Sequence, residues 1–162
     1  MSVRRAAATA SDVGQVEQAV NLIVRWATRN DVQQETMRRA KCDLPRGHVW
    51  LLARVELCGP VRLSDLAVAL GVDNSTLTPQ AKRLERDGLI VRNADPRDHR
   101  AALLRVTRAG RGLLARLRSS RRAMLSDLLA DWPAKERAQV AKQLTRLAQA
   151  LDHIHEANPA GR

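Results

Sequence analysis

Aromatic residues are nearly absent from this chain of 162 residues. It contains no tyrosine and no phenylalanine, and its only aromatic side chains are Trp26, Trp50 and Trp132. Proteins that bind single-stranded nucleic acids or RNA loops commonly stack the bases on several aromatic side chains. The scarcity of aromatic residues therefore argues against that class of protein.

Cysteines and long apolar segments are also scarce. The two cysteines, Cys42 and Cys58, are too few to build a fold on disulfide bonds. No apolar run approaches the ~20 residues of a membrane-spanning helix, so no membrane is expected as a partner. Residues 1–11 are rich in alanine but lack the apolar stretch of a secretory signal, which predicts a flexible arm. We expect a cytoplasmic protein.

Motifs of catalysis and cofactor binding are missing as well. The sequence has no glycine-rich phosphate-binding loop and no recognisable grouping of a nucleophile with a base. His153 and His155 are two positions apart in a predicted helix and therefore do not share a face, which argues against a metal site. These absences predict a protein that is not an enzyme and has no cofactor.

Arginine is the residue that the chain has in excess. There are 24 arginines but only 4 lysines, and the formal net charge is +11. The charge is concentrated between Lys82 and Arg122, a segment with 13 basic and 4 acidic residues. The planar, permanently charged guanidinium group suits phosphates and guanine edges. We therefore predict double-stranded DNA as the partner, the alternative being a basic surface that is only solvated.

The two ends of the chain have the pattern of long amphipathic helices. Residues 12–41 carry apolar side chains at steps of three and four, which predicts one helix. In residues 108–157, two helices flank a break at residues 131–133, and the second helix has a heptad spacing. A small central domain cannot cover all these apolar faces, so we expect both regions to form a two-fold dimer. The alternative is a monomeric helical bundle that caps its own domain.

The central residues 42–107 begin with three predicted helices, the first from Pro45 to about Leu57. Ser64 is predicted to cap the second helix, and Gly71 to end it in the left-handed conformation.

A third helix and a β-hairpin complete the central region. Asp73 or Ser75 is expected to cap this helix. Residues 89–92 and 102–106 have the composition and alternation of strands, and a charged loop separates them. Thr107 is predicted to cap the helix that follows.

The third central helix has one apolar and one polar face. Its spacing places Leu77, Ala81 and Leu84 in the core, and Lys82 and Arg86 on the opposite side with Ser75. Pro79 conflicts with a regular helix, so either the helix begins near Ser75 or it bends at the proline. Hydroxyl, lysine and arginine side chains on an outward face can contact bases or phosphates.

The hairpin region resembles a known family. Residues 95–110 read DPRDHRAALLRVTRAG and match the pattern D-x-R-D-x-R-x-x-x-L-x-[LV]-T-x-x-G. Residues 63–72 and 84–92 fit the same family. The chain therefore resembles the MarR (multiple-antibiotic-resistance regulator) family of winged helix-turn-helix proteins.

This resemblance implies a mainly α fold with a small β-wing. A winged helix-turn-helix domain at residues 42–107 is flanked by helical dimerisation regions at 12–41 and 108–157, and residues 158–162 form a tail. The resemblance further implies a homodimer that binds a pseudo-palindromic operator and acts as a repressor.

The resemblance also assigns roles to residues. Arg97 is expected at the wing tip, in the minor groove, with Asp95 and Arg100 bracing the tip. A narrow minor groove has an enhanced negative potential that attracts an inserted arginine. The expected major-groove helix carries the candidate contacts Ser75, Thr76, Thr78, Gln80, Lys82, Arg83 and Arg86.

Relatives of this kind bind small aromatic or anionic ligands between the dimerisation helices and the DNA-binding domain. The candidate ligand-binding residues here are Arg25, Trp26, Arg29, His48, Trp50 and Arg54. The alternative is that the tryptophans fill the core with arginines at their edges. Cys42 follows the charged Lys41 and is the candidate for a reactive thiol, whereas Cys58 is expected to be inert; packing is the alternative for both.

One other function would use the same charge. An architectural DNA-binding protein contacts the backbone without reading bases. Preference for one DNA sequence over others separates a specific regulator from that class.

Overall fold

The computed structural model describes residues 10–96 and 98–157, except for the side chains of residues 10, 99–100 and 152–157. The chain is mainly helical with a small antiparallel sheet, as predicted. Its elements are α1 (Ala10–Thr28), α2 (Asn30–Arg39), α3 (Arg46–Cys58), β1 (Val61–Arg62), α4 (Leu63–Leu70), α5 (Asn74–Arg86), β2 (Ile90–Asp95), β3 (Asp98–Val106), α6 (Arg108–Leu128) and α7 (Ala134–Ala157). None of the described helices has the length and hydropathy needed to cross a membrane.

The first predicted helix is in fact two helices. The backbone of Arg29 is extended, with φ −57° and ψ 140°, and separates α1 from α2. The guanidinium of Arg29 pairs with Asp31 at 2.7 Å, and the amide nitrogen of Gln33 donates to the carbonyl of Ala27. These contacts satisfy groups at the helix ends without a proline or glycine, so the sequence carries no signal for the break. Helix α1 begins at Ala10, so the end of the predicted arm, residues 1–11, overlaps the start of this helix.

The caps of the two short helices follow the prediction in part. Gly71 ends α4 in the left-handed conformation at φ 63°, as expected, because a residue without Cβ adopts it at no steric cost. The cap of α4, however, is Arg62 and not Ser64, because strand β1 runs directly into the helix. Asp73 precedes α5, so Ser75 is not its cap, and Pro79 lies inside the helix.

The sheet has the order β1-β3-β2 and is antiparallel. The predicted strands at 89–92 and 102–106 are confirmed, since they overlap the start of β2 and the end of β3. Both strands extend further toward the turn of the hairpin than expected. Strand β1 was not predicted, because two residues are too few for an alternating pattern. It pairs Arg62 with Leu103 and so lies along the outer edge of β3.

The core lies where α3, α5 and α6 meet the sheet. Thr107 caps α6, as predicted, because its hydroxyl accepts a hydrogen bond from the Gly110 amide at 3.0 Å. The fully buried large side chains are Leu51, Leu52, Val55, Leu66, Leu77, Leu84, Ile90, Leu104 and Leu117. This core holds the central domain together and fixes α5 against its neighbours.

The apolar faces of α1 and α7 are exposed in the part of the chain that the structure describes. Ile23 of α1 is 49% exposed and Leu144 of α7 is 47% exposed. Between the two helices lies an apolar groove of about 440 Å³. Other exposed apolar side chains of α1, the end of α6 and α7 are Val13, Val16, Leu22, Val24, Leu125, Leu128 and Leu151. A bundle that caps its own domain would bury these side chains, whereas here they are exposed.

An ion-pair cluster connects α2 to α6. Glu35 pairs with Arg38 and Arg39 at 2.7 Å each, and Arg39 also reaches Asp127 at 3.3 Å. Hydrogen bonds from the two arginines lower the pKa of Glu35 from 4.5 to about 2. A carboxylate whose pKa is lower in the folded than in the unfolded state stabilises the fold at pH values above its unfolded-state pKa. This stabilisation is lost as the pH falls to the folded-state pKa.

We expect the stabilisation by Glu35 to be lost as the pH falls from about 4.5 to about 2. Glu35→Gln should therefore have a lower melting temperature than the unmodified chain at neutral pH, and the difference should shrink across that window. Thermal unfolding followed by circular dichroism at several pH values measures this. Glu17→Gln, on the exposed face of α1, is the control; a Glu35→Gln difference that stays constant with pH contradicts the prediction.

Candidate nucleic-acid interface

Helix α5 presents one face to the core and the opposite face to solvent. Leu77, Ala81 and Leu84 are buried, as their spacing predicts. The turn from α4 to α5 passes through the left-handed Gly71. This helix-turn-helix arrangement leaves the polar face of α5 open along its length.

The outward face of α5 carries cations. Lys82 and Arg86 are exposed, and within the described part of the chain neither has a side-chain hydrogen bond or ion pair. Arg83 is also exposed, but its guanidinium pairs with Asp87 at 2.7 Å along the helix. Ser75 and Thr76 are exposed near the start of the helix. This face can therefore offer two free positive charges and two hydroxyl groups to an anionic partner.

Two of the predicted contact residues are differently placed. The hydroxyl of Thr78 donates to the carbonyl of Asn74 at 2.7 Å, and this side chain is half-buried. Gln80 is half-buried too, and its Oε1 has no hydrogen-bond partner among the residues that the structure describes. That oxygen lies 3.4 Å from the position where a Cβ on Gly47 would be. Gln80 thus packs against the start of α3, which helical spacing within α5 could not indicate.

The β-hairpin follows α5 and is tied to it. Arg92 of β2 pairs with Glu85 of α5, with Nε 3.0 Å from Oε2. The ladder between β2 and β3 is irregular between Ala94 and Asp95. Because the hairpin is attached to α5 by an ion pair as well as by the chain, the two elements form one surface.

Asp95, at the end of β2, is buried, with 6% of its surface exposed. The Nη2 and Nε atoms of Arg62 lie 2.6 and 2.8 Å from its Oδ2. Hydrogen bonding to Asp95 raises the pKa of Arg62 above its ordinary value, as expected for a guanidinium paired with a carboxylate. Sequence reasoning missed Arg62, because it lies 33 positions from Asp95 on a strand that was not predicted.

Two other predicted wing residues, Arg97 and Arg100, have no described side chain. Arg97 lies outside the described residues, so its role at the wing tip stays a prediction. The backbone of Arg100 belongs to β3, and its side chain is not described.

The structure does not gather the six candidate ligand-binding residues at one place. Trp50 alone among them lines a cavity of about 420 Å³ between α2, α3 and α6. Arg54 lies over the Trp50 ring, 5.7 Å from its centroid, and Arg29 pairs with Asp31. Arg25 is exposed on α1, whereas Trp26 and His48 are half-buried. The other residues lining the cavity are Gln33, Thr36, Met37, Arg46, Gly47, Val49, Ala53, Leu117 and Arg121.

The two cysteines lie in different environments. Cys42 is buried in the hydrophobic core, whereas Cys58 is exposed at the end of α3. Cys42 follows α2 and turns inward with Ala40 and Leu44, which agrees with the packing alternative. Cys42 is thus a packing residue.

No metal-binding cluster of three or more His, Cys, Asp or Glu residues occurs in residues 10–96 and 98–157 with described side chains. The pair His153 and His155 is not covered by that statement, since its side chains lie outside the described part.

The sequence is similar to those of known transcriptional regulators. The sequence model of the MarR family matches residues 44–102 of this chain. The uncharacterized HTH-type transcriptional regulator YxaD of Bacillus subtilis (strain 168) is 31% identical over 123 residues. The match covers 76% of this chain and 86% of YxaD.

Solved structures share the fold. A MarR family protein from Bacillus stearothermophilus superimposes with a TM-score of 0.73 at 18% identity, covering 90% of this chain and 99% of that one. A mutant of S. aureus MepR, bound to an oligodeoxyribonucleotide, superimposes with a TM-score of 0.60 at 22% identity, covering 82% of this chain and 97% of that one. At these identities the likeness concerns the fold, and it confirms the winged helix predicted for the chain.

Proposed function

Because this chain belongs to the MarR family of transcriptional regulators, we propose that it binds a specific duplex DNA sequence as a homodimer and represses transcription. The observation that supports this most is the open face of α5, where Lys82 and Arg86 are exposed beside a hairpin that is connected to the same helix by an ion pair. The MepR mutant of the same fold was solved with an oligodeoxyribonucleotide, which supports DNA as the partner class.

In this proposal α5 enters the major groove and the hairpin reaches the adjacent minor groove. Lysine and arginine on α5 contact guanine edges or phosphates, and the hydroxyls of Ser75 and Thr76 contact bases or phosphate oxygens. The hairpin brings Arg97 to the minor groove, where the negative potential is strongest when the groove is narrow. Specificity comes from the base contacts, and most of the affinity from the phosphates.

Dimerisation joins two such surfaces. The apolar groove between α1 and α7 and the exposed side chains beside it would be covered by the same elements of a second copy. A two-fold dimer then places one α5 in each half of a pseudo-palindromic operator, with half-site centres about 10 bp apart.

Release of the DNA by a small aromatic anion is part of the proposal. The residues lining the cavity of about 420 Å³ include Trp50, Arg46 and Arg121. An aromatic ring and cations together suit a carboxylate on a flat apolar body. Benzoate is a simple probe of this chemistry and should weaken DNA binding by the unmodified chain, whereas Arg121→Ala should not respond to it.

A competition experiment tests the main proposal. The chain is mixed with the duplex from directly upstream of its own gene, and unrelated duplex is added as competitor. A specific regulator should prefer its own site by about 10³-fold or more, whereas an architectural protein should show no preference. Equal competition by the unrelated duplex, for this site and for duplexes selected from a random library, would contradict the proposal.

The salt dependence of binding is a separate prediction. Each phosphate neutralised by a lysine or arginine releases counterions, so the affinity should fall steeply as salt increases. Fluorescence anisotropy of a labelled duplex at several salt concentrations measures the slope. We expect Lys82→Ala and Arg86→Ala each to reduce the slope by about 1 when the residue contacts a phosphate. A wild-type affinity that does not change with salt would contradict phosphate contacts altogether.

A further inference from the structure

Arg62 connects the outer strand of the sheet to the far end of the hairpin. Its Nη2 lies 2.6 Å from Oδ2 of Asp95, and its Nη1 lies 3.5 Å from Oδ2 of Asp98. Asp95 is the last residue of β2 and Asp98 the first residue of β3, and the two are register partners. One guanidinium group thus holds both strand ends that flank position 97.

The backbone at this point needs such a support. The register between β2 and β3 shifts between Ala94 and Asp95, and an irregular ladder is less well held by its own hydrogen bonds. Strand β1 is only two residues long and ends at Arg62, where α4 begins. Arg62 therefore connects the strand ends to the first residue of the helix-turn-helix.

The burial of the contact indicates that it is well ordered. Asp95 is 6% exposed, and Arg62 is itself only partly exposed. Two charge-assisted hydrogen bonds to one buried carboxylate oxygen are stronger than an ion pair in water, since little solvent competes for them.

From this geometry we propose that Arg62 is a positioning residue for DNA recognition, setting the angle at which the hairpin meets the minor groove. The inference rests on the proposed DNA-binding function and adds to it a residue outside α5 and the hairpin. Arg62 acts through Asp95 and Asp98 and does not itself contact DNA. An arginine that reads groove width depends on such support, because a small change in its position removes it from the groove.

Arg62→Ala should weaken binding to a duplex selected by the wild-type chain from a random library. We expect a loss of about tenfold or more, since hydrogen bonds to charged groups are worth more than neutral ones. Arg118→Ala is the matched control, because it removes an equally short arginine pair, with Glu56 at 2.6 Å, that connects α3 to α6 away from the hairpin. Arg118→Ala should bind as the wild-type chain does.

A double-mutant cycle separates positioning from direct contact. If Arg62 acts through the hairpin, Arg62→Ala should have little further effect once Arg97→Ala is present. If the two losses are additive, Arg62 acts on its own and the inference is wrong. Replacing A·T pairs beneath the hairpin by G·C should weaken wild-type binding but leave Arg62→Ala nearly unaffected, a result that general destabilisation would not produce.

Variants that do not fold must be distinguished from variants that mislocate the hairpin. Circular dichroism reports on the fold. If Arg62→Ala unfolds, Arg62→Gln is used instead, because it keeps part of the apolar stem but removes the charge and the guanidinium donors to Asp95 and Asp98. If the wild-type chain binds the selected duplex and neither Arg62 variant loses affinity for it, this inference alone is wrong. Absence of wild-type binding to any duplex overturns the proposed function and this inference together.

Discussion

Replacing Gly110 with alanine is expected to destabilise the fold strongly. A Cβ at this position would lie 2.2 Å from the carbonyl oxygen of Leu89 and 2.7 Å from Cγ1 of Val106. The Leu89 carbonyl cannot move cheaply, because it accepts a hydrogen bond from the Thr107 amide at 3.0 Å. Helix α6 would have to shift away from the start of β2. We expect a cost of about 3 kcal/mol or more, at the upper end of values for overpacked sites.

Such a cost is a large part of the stability of a domain, about 5–15 kcal/mol in total. For a chain of this size it corresponds to a fall of about 10 °C in melting temperature. Differential scanning calorimetry of Gly110→Ala measures this fall.

Gly112→Ala provides the matched control in the same helix. A Cβ at Gly112 would meet only Nη1 of Arg116, at 3.9 Å, which is ordinary contact with a flexible side chain. Alanine in a helix interior is more stable than glycine by roughly 0.5–1 kcal/mol, so this variant should melt slightly higher. We therefore expect the melting temperature to fall in Gly110→Ala and to rise slightly in Gly112→Ala. Equal and small effects at both positions would mean that α6 is not held against Leu89 as described.

Replacing Leu144 with glutamate is expected to separate the proposed dimer into monomers. Leu144 lines the apolar groove between α1 and α7, and a charge there would lose its hydration when a second copy covers the groove. Loss of the dimer also uncouples the two half-sites. We expect the affinity for a two-half-site duplex to fall by about 100-fold or more, because the second contact is no longer intramolecular.

Light scattering coupled to gel filtration gives the mass of Leu144→Glu, and a mobility-shift titration gives its affinity. Leu57→Glu is the control, since Leu57 is a leucine of α3 that is 74% exposed and does not line the groove. This control should keep the mass and the affinity of the wild-type chain. A wild-type chain that is monomeric at all accessible concentrations would contradict the proposed assembly.

The helices and strands of the central domain were largely predictable. The alternation of Leu104 with its neighbours and the spacing of Leu77, Ala81 and Leu84 depend on local periods of two and 3.6 residues. The Thr107 cap and the Gly71 end depend on the chemistry of one residue. These features need no knowledge of the rest of the chain, and the structure confirms them.

The candidate interface was predictable only as a set of residues. Helical spacing correctly placed Lys82 and Arg86 outward, but it could not reveal that Gln80 packs beneath Gly47 of α3. The break at Arg29 was missed because its contacts involve side chains and not a proline or glycine. The exposure of Cys58 and the burial of Cys42 were likewise decided by how helices meet.

Composition and short-range pattern, by themselves, determined that this chain is mainly helical and rich in arginine, and the resemblance of residues 95–110 to the MarR family implied a winged helix-turn-helix at its centre. Only the tertiary structure decided that Arg62 holds Asp95 and Asp98, and that Gln80 packs against Gly47. The physical reason is distance along the chain. Propensities, caps and periods act between residues a few positions apart, whereas these contacts join elements that approach one another only when the core has formed.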